Sequence, residues 1–412
     1  MVAVGTSDSD ALALKTKRRY FPELEGMRGL AALGVLTTHV ALSAGQVGVG
    51  DFPGNGFAGV MLHQLHVSLP IFFVLSGVLL YRPFVAATIL GTKRPRVGPY
   101  LWRRLLRTMP AYWLLAVVTL VLLNRDTVHT LWEVVRPMLL LHIYQENARV
   151  LGMEQTWSLA TEVAFYALLP FLAWLLHLFA RRVEDPVGRS RRILAVLLLP
   201  VVVGIAYTVY VHGPAFEPWA IQQEWPLKWF GYVAVGMALA TLSVTADAAP
   251  DRVPAPYRLL MRRPSLAWVA AVCAYLAACF SPFGQPGYAN YPAVPQAVTE
   301  HVLYLLFGLF VLAPLTTPKG SPRFMVAFLS NPVMTYFGRI SYGVYLWHIA
   351  IIYFYAGGLF DAGGFVELMS VVLVGSVLAA TVSYFLVEAP AMRLRERLGQ
   401  ATVKPSVMVV ER

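Results

Sequence analysis

Apolar residues in this 412-residue chain come in blocks of about 17 to 25, and that spacing constrains the fold more than any other feature. A helix rises about 1.5 Å per residue, so a block of this length crosses the roughly 30 Å hydrocarbon core of a bilayer. Inside that core every backbone N–H and C=O must be satisfied within the protein, and a block this long does so only as a helix. Composition agrees. Hydrophobic residues make up 58% of the chain and charged residues 13%, about half the ~25% of a soluble globular protein. So few charges cannot cover a soluble surface of this size. A cytosolic enzyme, a secreted disulfide scaffold and a disordered chain are all excluded. The expected fold is all-α, a polytopic integral membrane protein.

Ten spans are expected, near 28–46, 67–89, 109–123, 156–180, 193–211, 227–243, 266–281, 297–314, 334–357 and 366–387. The shorter apolar stretch at 134–144 reads as re-entrant or interfacial. With the N-terminus placed inside, alternate loops carry 26 Lys and Arg on the inner side against 4 on the outer. This positive-inside bias predicts that both termini are cytoplasmic and that the loops at 47–66 and 282–296 face outward. It also accounts for the net charge of +11 as topology and contact with anionic membrane lipids, so no nucleic-acid partner is expected. Residues 1–19 and 391–412 read as flexible cytoplasmic tails, and 20–390 as one membrane domain. No cleavable leader and no repeat of 20–50 residues is evident. Pro and Gly cluster at 43–58, 212–226 and 281–295, where they are expected to shape an outer mouth. Cys273 and Cys279 lie six apart, on different helical faces, which argues against a disulfide; no metal-ligand spacing occurs, and no metal is expected.

Polar residues that cost energy in lipid are the best guides to function. Arg28 and His39 are eleven residues apart in the first span, about 16 Å along a helix, and eleven steps of 100° bring both to one face. A permanent cation at the cytoplasmic edge and a titratable imidazole three turns deeper suit a long anionic ligand entering from the cytoplasm. The same pair also suits an arginine snorkelling to headgroups and a histidine bonded between helices. Glu162 shares a face with Ser158 and Tyr166. Its expected partner is a His or Arg on a neighbouring helix, and contact with a histidine would fix the imidazole tautomer. A structural ion pair between spans is the other reading.

The basic segment 93–107 places Arg103 and Arg107 on one helical face and Arg104 beside them. Such a cluster suits the phosphates of a soluble cofactor, or equally lipid headgroups. Ser76 and Gly77 in Phe72-Phe-Val-Leu-Ser-Gly77 signal close helix contact. His348, near the middle of the ninth span, reads as a packing histidine.

Five blocks in order resemble the membrane acyltransferase-3 family, from about Arg19 to Glu388. They are Leu24-Glu-Gly-Met-Arg-Gly-Leu-Ala-Ala-Leu with His39 following; Phe72-Phe-Val-Leu-Ser-Gly; Arg103-Arg-Leu-Leu-Arg-Thr-Met-Pro-Ala-Tyr-Trp113; Thr156-Trp-Ser-Leu-Ala-Thr-Glu with Phe165-Tyr166; and Ile340-Ser-Tyr-Gly-Val-Tyr-Leu-Trp-His348. The resemblance implies an acyltransferase that takes an acyl group, commonly acetyl, from cytoplasmic acyl-CoA to a hydroxyl of an extracytoplasmic glycan or lipid. Acyl-CoA is then a donor substrate, and no permanently bound cofactor is expected. His39 would be the general base, or a transient acyl carrier, and Arg28 the donor anchor. Glu162 would orient or balance charge, and Arg103, Arg104, Arg107 and Tyr166 would line the donor site. Tyr166 and Tyr345 would be spare hydrogen-bond donors.

Glu25 stands where the family often has Asp, and Ser68-Leu-Pro-Ile where an Asp often precedes the Phe-Phe block. Many relatives carry an appended periplasmic hydrolase-like domain, whereas this sequence stops after the tenth span. The acceptor would then be handled by the membrane part alone or passed to a separate envelope-synthesis partner. The expected location is a bacterial inner (plasma) membrane. A glycolipid or polysaccharide transporter using the same Arg, His and Glu, and a non-catalytic scaffold, are the competing classes. No inverted repeat with Gly- or Pro-broken spans supports the transporter.

Overall fold

Each expected span coincides with a helix in the computed structural model, which describes residues 22–48, 56–146, 149–218, 220–283, 292–317, 320–360 and 362–400, apart from the side chains of 395–400. The elements begin α1 Pro22–Ser43, α2 Gly56–Gln64, α3 Ser68–Ile89, α4 Val97–Leu122 and α5 Leu131–Met138. There follow α6 Trp157–Ala180, α7 Pro186–Val211, α8 Pro226–Ala248, α9 Ala255–Arg262 and α10 Pro264–Cys279. The last are α11 Val294–Thr316, α12 Arg323–Ser330, α13 Pro332–Ala356, α14 Phe365–Ser383 and α15 Ala389–Gln400. All regular structure among the described residues is helical.

Local chemistry sets the helix ends. Asp185 starts α7 by accepting the Gly188 N–H at 2.9 Å, with Pro186 at the first helical position where its missing N–H costs nothing. Asn331 starts α13 in the same way, accepting from Met334 N–H, and Gly357 ends it in the left-handed region at φ 72°.

Among the described residues, seven stretches are long and apolar enough to cross a membrane unaided, and the pair α9/α10, bent by 106°, makes an eighth if it is one span. Helices α1 and α13 are not among them, so the expected ten crossings exceed those that length and hydropathy support. The physical reason is that α1 holds Arg28 and His39, and α13 holds Arg339 and His348.

Other boundaries differ too. The loop expected at 47–66 contains α2, which runs through a 3₁₀ turn at Leu65–Val67 into α3. The third span was expected from 109, but α4 starts at Val97, so the basic segment is part of the same helix. The 134–144 stretch forms the short α5 and a 3₁₀ turn at His142–Tyr144, a folded-back element. Two side chains of α4 hold it down: Tyr112 donates to the Pro137 carbonyl, and Trp113 Nε1 donates to the Met138 carbonyl at 3.0 Å. Of the expected C-terminal tail, 391–400 belong to the helix Ala389–Gln400, whereas 401–412 and the 1–19 tail lie outside the described residues. Cys273 and Cys279 are free, on α10.

Burial sorts the helices. In the spans containing α3 and α8, 67% and 72% of the apolar window is buried, which places them at the centre; for α7 and the span containing α14 the figure is 22%, a lipid-facing position. Helices α3 and α8 touch through Gly77 and Gly236. A methyl group at Gly77 would overlap the Val233 carbonyl, and one at Gly236 the Val74 carbonyl. A second close pair joins α1 to α13, where a methyl at Gly338 would overlap the Glu25 carbonyl and one at Gly29 would stand 2.9 Å from Gly338 N. Without a hydrophobic drive between helices in lipid, such small-residue contacts supply the packing.

Candidate functional site

The Gly29–Gly338 contact aligns α1 and α13 side by side. His39 lies ten residues after Gly29, and His348 ten residues after Gly338. Two helices running the same way with equal offsets must bring these imidazoles together, and their ring centroids are 5.0 Å apart. His39 Nδ1 lies 2.9 Å from the Val35 carbonyl and 3.2 Å from His348 Nε2. A carbonyl oxygen only accepts, so Nδ1 carries the hydrogen. His348 Nδ1 likewise donates to the Tyr345 carbonyl at 2.7 Å, which leaves His348 Nε2 as an acceptor for His39. One arrangement satisfies all three contacts, and it leaves the lone pair of His39 on Nε2. The element that sets the His39 tautomer is therefore backbone and histidine, not Glu162.

Two more histidines come from α2 and the turn after it. His66 stands 5.9 Å from the His39 ring and 5.4 Å from the His63 ring. The i, i+3 spacing of His63 and His66 was visible in the sequence, but it fell in a segment read as loop. Among the described residues, no group of three or more His, Cys, Asp or Glu has the geometry to hold a metal.

A cavity of about 500 Å³ opens beside His39. Its wall takes His63 and His66, then Glu224 and Lys228 around the start of α8, Glu300 and His301 from α11, and Tyr345 from α13. Two of the segments expected to form an outer mouth contribute, 212–226 through Gln223 and 281–295 through Pro292; next to the segment 43–58, the wall is made by His63 of α2. Tyr345 is not a spare donor. Its hydroxyl lies 2.7 Å from the Gln155 carbonyl and 2.6 Å from Ser158 Oγ, so its hydrogen is committed.

The other end of α1 holds a different group. Arg28 lies in the electrostatic field of Arg107, Glu162, Tyr166 and Arg104. Glu162 accepts a hydrogen bond from Ser76 and stands with the arginines rather than with His39. Of the two roles expected for Glu162, orienting the base or balancing charge, its position beside the clustered guanidinium groups suits the second. The Arg28 guanidinium makes no hydrogen bond or ion pair among the described residues, and the Nε of Arg104 is buried without a partner. Arg103 is half-buried, and it is not among the groups whose field acts on Arg28. Glu388, at the end of the π-turn after α14, also feels Arg107 and Arg28. Five sequence-expected residues, Arg28, Glu162, Arg104, Arg107 and Tyr166, therefore assemble about three helical turns from His39.

Sequence comparison matches residues 21–388 to a family described as an acyltransferase domain. Among similar proteins, the "Putative peptidoglycan O-acetyltransferase YrhL" of Bacillus subtilis (strain 168) is 25% identical over 355 residues, covering 81% of this chain and 49% of that protein. The "Peptidoglycan O-acetyltransferase OatA" of Listeria monocytogenes (strain EGD-e) is 24% identical over 355 residues, covering 81% and 50%. The "Putative O-acetyltransferase SACOL0978" of Staphylococcus aureus (strain COL) is 22% identical over 406 residues, covering 91% and 58%. The chain spans about half the length of the curated relatives it matches. Since the match takes in every helix from α1 to α14 and both ends of the site, the chain belongs to the acyltransferase-3 family of multi-pass membrane proteins.

Proposed function

We propose that the protein is a membrane O-acyltransferase that carries an acyl group, acetyl in the simplest case, from cytoplasmic acyl-CoA to a hydroxyl of an extracytoplasmic envelope glycan or glycolipid. It would act in a bacterial inner membrane with both termini cytoplasmic. One observation carries the reading: a histidine with its Nε2 lone pair set by two partners borders a cavity with charged side chains in its wall, and the same helix carries Arg28 of the arginine cluster three turns away. The relatives named as O-acetyltransferases support the reaction class, and two of them the glycan acceptor.

The chemistry follows from the placement. A thioester is already activated, so the step needs removal of the hydroxyl proton and stabilisation of the oxyanion. His39 Nε2 takes the proton as the acceptor oxygen attacks the thioester carbonyl. The new C–O bond forms, the C–S bond breaks, and His39 returns the proton to the departing thiolate, giving CoA as its thiol. Arg28, Arg104 and Arg107 hold CoA phosphates, with Arg103 at the rim, and Tyr166 lines the donor end. The ~16 Å between Arg28 and His39 matches an extended pantetheine arm. Glu162 keeps the arginines together and does not touch the reacting atoms.

The test is His39→Ala protein reconstituted in liposomes with labelled acetyl-CoA and an envelope glycan fraction. Transfer should be lost while the protein remains inserted, because one interhelical polar contact is worth only ~0.6 kcal/mol on average. Transfer at near the wild-type rate would rule out His39 as the base.

A further inference from the structure

The cavity holds charges that the reaction itself does not use. Lys228, on the first turn of α8, lies between the fields of Glu300 and Glu224. Its ammonium group makes no ion pair or hydrogen bond among the described residues, and Nζ stands 5.4 Å from the Trp229 ring centroid. Glu300 accepts from Gln296 at 3.2 Å, and Glu224 lies 3.6 Å from Arg149 at the more exposed end. Charges this close to the membrane interior are costly, and a cation left without a direct partner is costlier still. Their side chains line the cavity that His39 borders.

Beside them stand two indoles. Trp157 and Trp229 have ring centroids 4.7 Å apart, and Trp229 is fixed by donating from Nε1 to the Gln223 carbonyl at 3.0 Å. A wall that combines carboxylate acceptors, an ammonium donor and aromatic rings fits a molecule with many hydroxyls and apolar C–H faces. The carboxyl groups of Glu154, Glu224 and Glu300 stand among the cations of Arg149 and Lys228, so neither sign of charge dominates the wall, which suits a neutral ligand better than an anionic one. A volume of about 500 Å³ lies within the roughly 300–1,000 Å³ of small-molecule sites.

We infer that Trp157, Trp229, Glu224, Lys228 and Glu300 form the acceptor subsite, and that it takes a neutral saccharide. The inference rests on the proposed O-acyltransferase reading and names its acceptor site. Glu224 and Glu300 accept from sugar hydroxyls, Lys228 donates to a ring or hydroxyl oxygen, and the indoles pack against the ring faces. A further hydroxyl of the same ligand then meets His39 Nε2.

Equilibrium binding without any donor tests this, because it needs no turnover. Purified full-length protein in detergent is titrated with trehalose and with chitotetraose, both neutral, while tryptophan fluorescence is followed; oligogalacturonate serves as the anionic comparison. At least one neutral sugar should bind saturably. Lys228→Gln and Glu300→Gln, which keep side-chain bulk, should each weaken that binding about tenfold. Acetyl-CoA affinity, measured separately by calorimetry, should stay at the wild-type value and so report an intact fold. No saturable binding of either neutral sugar into the millimolar range overturns the subsite. So does tighter binding of oligogalacturonate, or binding unchanged in both variants. A transfer-competent His39→Ala protein would sink the catalytic reading yet leave this result standing, so the two failures are distinguishable.

Discussion

Replacing His348 separates a positioning histidine from a base. In the structure the His39 Nδ1 hydrogen is shared between the Val35 carbonyl at 2.9 Å and His348 Nε2 at 3.2 Å. His348→Leu removes the longer arm and leaves the backbone arm, so the tautomer survives while the ring gains freedom to turn. A net hydrogen bond is worth about 0.5–1.5 kcal/mol, which corresponds to about a 2- to 13-fold fall in kcat. His39→Ala removes the base itself and should cost about 10²–10⁴-fold. His348→Gln offers a side-chain carbonyl as a substitute acceptor and should recover part of the loss. The assay is acetyl-CoA-dependent thiol release in liposomes containing an envelope glycan fraction, with kcat and both KM values measured for each variant. Because His348 also packs at 0% exposure, the melting midpoint of each variant must be recorded beside its rate. A His348→Leu protein of wild-type stability that is as inactive as His39→Ala would refute the assignment and make His348 a participant in the proton transfer. An unaltered kcat would refute the coupling of the two rings.

Three other outcomes follow from the same geometry. Arg28→Lys should be severely impaired, since a point charge cannot replace a planar fork, and Arg28→Lys/His39→Ala should be little worse than His39→Ala alone; additive losses in thiol release would place them in separate steps. Replacing Arg103, Arg104 and Arg107 together with Gln should raise the KM for acetyl-CoA more than it lowers kcat, and an unchanged KM would assign the cluster to lipid headgroups. Gly236→Ala should lower the melting midpoint in detergent by an overpacking cost of about 1–3 kcal/mol, because the methyl meets the Val74 carbonyl. Gly98→Ala, where the methyl meets nothing within 4 Å, should not lower it, and equal midpoints would deny the close α3–α8 contact.

Much of this molecule is local in origin and therefore legible in one dimension. Span length and apolar composition act within single segments, so a helix stands at each expected span, although α1, α4 and α7 start 6, 12 and 7 residues before the expected 28, 109 and 193. The shared face of Arg28 and His39 is a property of one helix and needs nothing else. The Ser76-Gly77 signal for close packing also held, since a glycine in a span has little other use than near approach. What failed was mostly a boundary. The segment 97–107 is too polar to read as a span, yet it belongs to α4 because helix hydrogen bonds, not hydropathy, carry the chain on.

Which helix stands beside which is decided only in three dimensions, since no residue of α1 specifies where α13 lies. That contact, made by Gly29 and Gly338, turns His348 from a packing residue into the hydrogen-bond partner of His39, while the packing of α6 against α3 sets Glu162 beside Ser76 and the arginines. The cavity is likewise a joint product. Lys228 and Glu300 are 72 residues apart and meet only because α8 and α11 pack together. Sequence by itself determined a helical membrane protein with a cation and an imidazole on one face. Tertiary structure decided which lone pair of that imidazole is open and what surrounds it, because packing between distant segments brings those groups together.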